Sequence, residues 1–452
     1  MERGSAPRLF GTNGIRGVPN RDLTVEFAQS IGKSIGTFFR AREVAMGRDT
    51  RLSGQMIMGA VQSGLNSTGT DTVDLGILPT PALQYYCKNT GMPGVMITAS
   101  HNPPQYNGIK CIDSDGSELA REKEREIEVI HHSGQFHSAD WNSVGRNRWD
   151  STAEELYVRG VASRVSVDRI RASAFRVALD TGNGASYRTS PELLSRYGAS
   201  VTTLNSNPDG LFTARPSEPV EANLKALIST VRSGGYDLGV AHDGDADRCV
   251  FVDERGQFVD GDRSLALIVR HTARNGDVVV TPVSTSDAIE EVCSEVGARV
   301  VRTVVGAPVV IRTMIETGAR VGGEENGGVI FGPHQYCRDG AMTMSLVLDL
   351  MARTGRKLSE LLKEVPEYHM FKASVERKKP WEEVLPLVLK YAEGRKVDRT
   401  DGVKVFHENG WVLLRPSGTE AIIRIYAQSR DRGYARELGE EYREFLEGAQ
   451  LR

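Results

Sequence analysis

The chain has 452 residues, of which 39% are hydrophobic and 25% charged, with a formal net charge of −3. This length and apolar content predict several globular domains of roughly 100 to 200 residues each. The near-neutral charge excludes nucleic acid as the main partner, because phosphate-backbone binding needs a basic face, and no run approaches the roughly 18 apolar residues of a membrane span. The five cysteines (Cys87, Cys111, Cys249, Cys293, Cys337) are scattered, odd in number and without a C-x-x-C pair. That usage points to reduced thiols and the cytoplasm, and away from disulfides or a zinc site. The first residues, Met1 to Pro7, contain no apolar signal core.

Residues 8 to 17 read Arg-Leu-Phe-Gly-Thr-Asn-Gly-Ile-Arg-Gly, a glycine-punctuated loop carrying Arg16. Such a loop serves either as a plain turn or as a place where backbone approaches a ligand closely. A helical pattern from Thr24 to Arg40, a strand at Val44 to Met46, the polar Gly47 to Arg51, a second helical pattern from Gly54 to Leu65 and a strand at Val73 to Leu75 follow. They lead to Val95-Met96-Ile97-Thr98-Ala99-Ser100-His101-Asn102-Pro103-Pro104, an apolar run that stops in a polar turn stiffened by two prolines. The pattern predicts a buried strand delivering Ser100 to a loop. Alone this is an ordinary turn; Lys110, a few residues on, adds the kind of cation that handles an anion. No G-x-S-x-G elbow surrounds the serine, which disfavours a hydrolase of that type. Helix alternating with strand predicts a mainly parallel sheet with ligands at the carboxyl ends of its strands, where Ser100 would lie.

A charged helix from Glu118 to Ile130 and the polar tract His131 to Asp150 read as a surface connection. His131, His132 and His137 lack acidic or cysteine partners and read as solvated linker residues. A second α/β unit opens with the strand Phe175 to Asp180 entering Thr181-Gly182-Asn183-Gly184-Ala185, a tight strand-to-helix turn without the spacing of a dinucleotide fingerprint. A helix over Ala222 to Val231 and a strand over Tyr236 to Ala241 precede His242-Asp243-Gly244-Asp245-Ala246-Asp247-Arg248. Three carboxylates at alternate positions can converge on one hard cation, and oxygen ligands suit Mg²⁺. An EF-hand would also place acids at Asp243, Asp245, Asp247 and Glu254, but its obligatory glycine position holds Arg248 and a strand-like run, Cys249 to Val252, follows.

A third unit starts near Gly256, with helices over Arg263 to His271 and Asp287 to Val296 and strands over Asp277 to Val280 and Arg299 to Val304. The strand Arg320-Val321 opens into Gly322-Gly323-Glu324-Glu325-Asn326-Gly327-Gly328, which suits hydroxyl recognition or a simple hairpin turn. From about Glu367 short strands (Tyr368 to Val375, Gly402 to Phe406, Trp411 to Leu414, Ala421 to Ala427) alternate with helices over Trp381 to Ala392 and Tyr434 to Glu447, predicting a small α+β domain with an antiparallel sheet. Between two of those strands lies Arg415-Pro416-Ser417-Gly418-Thr419-Glu420, with Arg424 beyond it. An arginine fork, hydroxyls and glycine amides form a phosphate-grade donor set.

With T-A-S-H-N-P, D-G-D-A-D-R, G-G-E-E-N-G-G and R-P-S-G-T-E each present once and in that order, the chain resembles the phosphohexomutases of the α-D-phosphohexomutase superfamily along nearly its whole length. The resemblance implies three successive mixed α/β three-layer domains (1–150, 151–255, 256–366) and a C-terminal α+β domain (367–452), heart-shaped around a central cleft, the last domain mobile. It implies that Ser100 carries phosphate and joins Asp243, Asp245 and Asp247 around one Mg²⁺, and that Arg248 steadies the phosphoryl group. Lys110 would be the general acid or base, with Arg16 and His101 also in the catalytic set. Glu324 and Asn326 would meet sugar hydroxyls, while Arg415, Ser417, Gly418, Thr419 and Arg424 would bind substrate through the phosphate that stays. The implied reaction interconverts hexose 6-phosphate and 1-phosphate through a sugar 1,6-bisphosphate, which also primes the serine. The implied partners are small hexose phosphates, in a monomer or homodimer, with glucosamine phosphate preferred over glucose and mannose phosphates.

Two positions depart from the pattern of many bacterial relatives. Asn326-Gly327-Gly328 stands where those have S-G-H, and Gly418 where they have asparagine. His334 is near the first gap in sequence. A Mg²⁺-dependent phosphatase would share the acidic cluster but would not need Ser100 or a separate phosphate loop. A silent sugar-phosphate binder could discard the serine and the carboxylates, and this chain keeps them all.

Overall fold

The computed structural model describes residues 8–11, 13–417 and 421–450. The chain divides into two compact units, one formed by residues up to Ser264 with Asn326–Leu362, the other by Leu265–Glu325 and the chain from Lys363 on. The segment 256–366 therefore contributes to both.

In the first unit, a six-stranded sheet has the order Ile15–Gly17, Asn107–Ile112, Gly94–Ile97, Glu43–Arg48, Asp71–Ile77, Asn147–Trp149. The three pairings among Glu43–Arg48, Asp71–Ile77, Gly94–Ile97 and Asn147–Trp149 are parallel. Asn107–Ile112, however, runs antiparallel to both of its neighbours. The sheet is thus mainly parallel, as expected, with one reversal: the serine turn sends the chain back, so Lys110 returns on the strand beside the one that delivers Ser100. Helix Val25–Phe39 starts where the Thr24 hydroxyl accepts the Phe27 amide and stops at Arg40, whose φ of 47° ends the right-handed spiral. It packs with helix Gly54–Ser67 so that Ile31, Ile35, Ile57, Val61 and Leu65 share one core with the sheet residues Val44, Met46, Val95 and Ile97. Each such burial stabilises by roughly 1.5 to 3 kcal/mol, which makes the strand under Ser100 a rigid base.

The second sheet orders Phe258–Val259, Cys249–Asp253, Leu238–His242, Arg176–Asp180 and Ser200–Leu204. Leu238–His242 and Cys249–Asp253 are antiparallel, with His242 opposite Cys249. The three aspartates therefore occupy a hairpin turn between two fully buried strands. The helix expected over Ala222 to Val231 is broken at Leu224 into a 3₁₀ turn, Glu221–Asn223, and a helix, Lys225–Gly234. Helix Gly340–Thr354, capped by the Asp339 carboxylate on the Met342 amide, belongs to this unit and is buried along most of its length.

The second unit holds the parallel strands Val278–Pro282, Arg299–Thr303 and Val321–Gly323. It also holds an antiparallel sheet ordered His369–Glu376, Ile422–Ser429, Gly410–Pro416, Val403–His407, Val397–Asp398. Helices Trp381–Tyr391 and Arg432–Ala449 cover one face of that sheet through Val384, Val388, Leu438, Tyr442 and Leu446. Among the described residues no helix is long and apolar enough to cross a membrane. All five cysteines are free and buried.

Candidate active site

Ser100 sits one residue past the buried Gly94–Ile97 strand and its Thr98-Ala99 extension, with φ of 51°. A non-glycine residue in the left-handed region costs about 1 to 3 kcal/mol and persists only when its surroundings over-determine it. They do so chiefly through Arg51, which is almost wholly buried. Its Nη2 donates to the carbonyls of Ser100 at 2.8 Å and Asn102 at 2.6 Å, and its Nη1 to those of Pro103 at 2.7 Å and Tyr106 at 2.8 Å. Its Nε pairs with Asp49 Oδ2 at 3.0 Å. Asp49 in turn accepts from the Thr98 hydroxyl at 2.5 Å, and that hydroxyl accepts the Ser100 amide at 2.8 Å. The guanidinium also stacks 4.9 Å from the Phe212 ring. Five donors on one planar group thus shape the whole turn. The candidate residues taken from the sequence omit Arg51, because the carbonyls it serves lie some fifty positions away and carry no side-chain signature.

The Ser100 hydroxyl donates to Asp243 Oδ2 at 2.9 Å. Two close approaches make this meeting possible. A Cβ on Gly244 would lie 2.7 Å from the Ser100 carbonyl oxygen and 2.7 Å from Ser217 Oγ, and one on Gly340 would lie 2.7 Å from the Arg248 carbonyl oxygen. Gly340 donates its amide to Ala246 at 3.2 Å, so the start of helix Gly340–Thr354 butts against the hairpin turn. Ala246, at φ of 56°, is a second left-handed non-glycine residue.

Around the aspartates each carboxylate is fastened differently. Asp245 Oδ2 accepts from Lys110 Nζ at 2.9 Å and from the Thr80 hydroxyl at 2.7 Å. Asp247 Oδ2 is gripped by Arg338 and lies 3.9 Å from Lys110 Nζ. Asp245 Oδ1 and Asp247 Oδ1 are buried with no hydrogen-bond partner. Ligand oxygens of all three aspartates lie within 4.8 Å of one another. Orphaned buried carboxylate oxygens are costly unless a cation takes them, so this donor set fits a hard divalent ion. Burial, then repulsion from Asp247 and Asp245, pushes the Asp243 carboxyl well above the usual range. Burial also opposes ionisation of Asp245, yet Lys110 and the Thr80 hydroxyl hold it below the usual value. A bound cation would relieve that repulsion.

The other catalytic candidates of this unit converge here. Arg248 Nη2 donates to His101 Nδ1 at 3.0 Å, the Arg248 amide donates to Asp243 Oδ1 at 3.2 Å, and Arg248 Nη1 lies 3.4 Å from Glu218. His101 Nδ1 is also 3.3 Å from Ser100 Oγ. Burial and the charges of Arg248, Arg16 and Arg338 push its pKa well down, so His101 is a neutral acceptor at neutral pH. Arg16 reaches the Asn102 side chain. Asn326 turns its own loop, its Oδ1 accepting the Gly328 amide at 3.1 Å, while the Gly327 carbonyl accepts the Cys249 amide at 3.0 Å. His334 is completely buried, stacked 4.7 Å from the Tyr85 ring with Nε2 3.4 Å from Asp339. It is a core residue and does not stand in for the histidine absent from the sugar loop.

The remaining candidates belong to the second unit. Glu324 is buried at the end of strand Val321–Gly323, and its neighbour Glu325 accepts from the Ser284 hydroxyl at 3.0 Å. Arg415 and Arg424 face each other across paired strands, and Arg415 Nε binds Asp401 Oδ2 at 2.7 Å. Asp401 also accepts the Val305 amide at 2.9 Å. Ser417 is buried and donates its amide to the Ile422 carbonyl at 2.9 Å. Gly418 and Thr419 lie outside the described residues.

A seryl hydroxyl on a preset turn, a cation-ready carboxylate trio and a ring of arginines suit handling of a phosphoryl group. Comparison with known proteins agrees. Models of the phosphoglucomutase/phosphomannomutase family match in order: alpha/beta/alpha domain I over residues 7–138, domain II over 155–256, domain III over 260–368 and the C-terminal domain over 370–445. A phosphoglucomutase/phosphomannomutase of Thermococcus kodakarensis is 43% identical over 98% of this chain and 99% of its own. A phosphoglucosamine/phosphogalactosamine mutase of Sulfurisphaera tokodaii is 39% identical over 98% and 99%. The crystal structure of a family protein from Burkholderia thailandensis superposes with a TM-score of 0.86 at 25% identity, covering 98% of this chain and 97% of that one. The chain belongs to the phosphoglucomutase/phosphomannomutase family. It is an isomerase, a phosphohexomutase.

Proposed function

We propose that the protein is a phosphoglucosamine mutase that converts glucosamine 6-phosphate to glucosamine 1-phosphate and also turns over glucose and mannose phosphates. Ser100 carries the phosphoryl group. The observation that carries this reading is the Ser100 hydroxyl, held in a left-handed turn 2.9 Å from Asp243, beside two carboxylates that each keep one unpartnered oxygen. In the forward step the P–O bond to Ser100 breaks as a substrate hydroxyl oxygen bonds to phosphorus. The hydroxyl proton passes to the departing serine oxygen with Lys110 as carrier. The sugar, now a 1,6-bisphosphate, turns over and returns its other phosphoryl group to Ser100 by the same step reversed. Asp243, Asp245 and Asp247 would hold one Mg²⁺, which when bound supplies neutralisation of charge on the phosphoryl oxygens. Arg248, kept in place by His101, faces the same group, and Arg16 braces the turn through Asn102. A sugar 1,6-bisphosphate primes the resting serine.

Glu324 and Asn326 are assigned to the 3- and 4-hydroxyls, which glucose, mannose and glucosamine share, so breadth at carbon 2 is expected. The phosphoglucomutase/phosphomannomutase name of the Thermococcus relative supports breadth at carbon 2 as well. The four residues Arg415, Ser417, Gly418 and Thr419, with Arg424, are assigned to the phosphate that is not transferred. Two measurements test the reading. Side-by-side turnover of glucosamine, galactosamine, glucose and mannose 6-phosphates should rank glucosamine first, with Glu324→Ala lowering kcat/KM for the gluco and manno sugars by similar factors; selective loss for one sugar would show that Glu324 reads carbon 2. Intact-protein mass spectrometry should find phosphate on the active protein and none on Ser100→Ala, which should be inactive. Full activity without that hydroxyl sinks the mechanism.

A further inference from the structure

The sheet of the second unit turns alternate residues to its two faces, and helices cover only one of them. The uncovered face has two ends. At one end Val283 packs against Trp411, Leu413 and Tyr426, with Met370 and Phe406 beside them. There Gln428 Oε1 accepts both Trp411 Nε1 at 3.0 Å and the Asp287 amide at 2.9 Å. That end is closed.

The other end is an open pocket of about 330 Å³, lined in part by Lys372, Ser374, Ile422, Arg424 and Tyr426. Strand register places these groups in rows. Ser374 stands opposite Arg424, which stands opposite Arg415; Lys372 stands opposite Tyr426 in the adjacent row. Lys372 Nζ lies 5.8 Å from the Tyr426 ring centroid, and Lys372 and Ser374 are both exposed. Glu376 is on the same face one row further, opposite Ile422, and Asp401 Oδ2 accepts from Arg415 Nε.

Arg415, Arg424 and Lys372 bring three cationic side chains to this end of the face, beside Ile422 and the Tyr426 ring. The donors are a fork, a point charge and a hydroxyl, with Arg424 central. This matches a phosphate monoester dianion, whose several oxygens each need a donor.

We propose that Lys372 and Ser374 on strand His369–Glu376 contact the hexose-bound phosphate that is not transferred, extending the Arg415–Arg424 pair to a third strand. The proposal rests on the assignment of Arg415 and Arg424 to phosphate binding. Lys372→Ala should raise KM for glucosamine 6-phosphate and glucose 6-phosphate by about tenfold, and should weaken competitive inhibition by inorganic phosphate by a similar factor. Lys372→Arg should restore both within about twofold, and Ser374→Ala should give a smaller shift in the same direction. The loss should appear in KM and not in kcat, and should shrink as ionic strength rises. If Arg415→Ala raises KM while Lys372→Ala and Lys372→Glu leave both KM and the inhibition constant unchanged, the proposal is wrong and the underlying reading stands. If Arg415→Ala also leaves KM unchanged, the phosphate assignment of the whole face fails.

Discussion

The serine turn and the open end of the C-terminal sheet both suit phosphate, yet they are built in opposite ways. At the serine turn the groups are buried, left-handed at Ser100 and Ala246, and over-determined by Arg51, Asp49 and Thr98. On the sheet, Lys372 and Ser374 stand exposed on regular strands with no strain at all. The difference teaches what each place must do. A transferring phosphoryl group needs donors that cannot reorganise at the moment of reaction, whereas a phosphate that is only held needs charge and access. Substitutions at the turn should therefore act on kcat, and those on the sheet on KM.

The largest effect should come from the carboxylates. Asp245→Asn removes a negative oxygen from the cation-ready set and the partner of Lys110, and should lower kcat by at least about a thousandfold. Exhaustive chelation should silence the wild-type protein, and added Mg²⁺ should restore it; activity that survives chelation breaks the comparison at its root. Next comes Arg51→Lys, which keeps the charge but cannot serve four carbonyls and a carboxylate at once. A kcat loss of about a hundredfold is expected, since small misplacement of a reacting atom is that expensive. Substrate KM should barely move, and far-ultraviolet circular dichroism should show the fold retained. A KM effect equal to the kcat effect would contradict the division.

Arg415→Ala should instead lower kcat/KM by roughly ten- to a hundredfold, mainly through KM, for every hexose phosphate, the usual cost of a charge-assisted contact of about 1.5 to 3 kcal/mol. Smallest is an effect on stability alone, at the closed end of the same face. Lys404 is buried, donates to the Val283 carbonyl at 3.2 Å and lies 3.7 Å from the Trp411 ring centroid. Burial lowers its pKa to about 8, and Asp287 opposes this only in part. A lysine whose folded pKa is depressed below its unfolded value opposes folding; the penalty is complete below about pH 8 and is relieved as pH rises from there toward the unfolded value. Lys404→Met should raise Tm more at pH 7 than at pH 10, with the substrate KM unchanged. The same gain at both pH values would show that packing, and not the charge, sets the difference.

Much of this was legible in the chain because reactive loops follow buried strands. Val95 to Ile97 and Tyr236 to Ala241 read as strands from their apolar runs, and Ser100 and the three aspartates came off their ends as expected. Asn107–Ile112 did not read as a strand, because Gly108 and Lys110 interrupt its apolar pattern, although all six residues are buried. Edge strand Ser200–Leu204 was equally silent, since three of its residues are hydroxylated and the edge is half solvated. Arg51 and Arg338 escaped for another reason. Their partners are carbonyls and a carboxylate far away in sequence, and only the folded chain brings them together. His334 shows the converse: proximity in sequence to the missing histidine counted for nothing once the ring was committed to Tyr85.

The five buried cysteines have a practical consequence. Burial pushes the pKa of every one of these thiols upward, Cys293 to about 12, so none offers a thiolate near neutral pH. Alkylating reagents should leave the native protein unlabelled. A Lys390→Cys variant, on the exposed side of helix Trp381–Tyr391, would then supply a single reactive handle for a fluorophore or spin label, with no need to strip the native cysteines first.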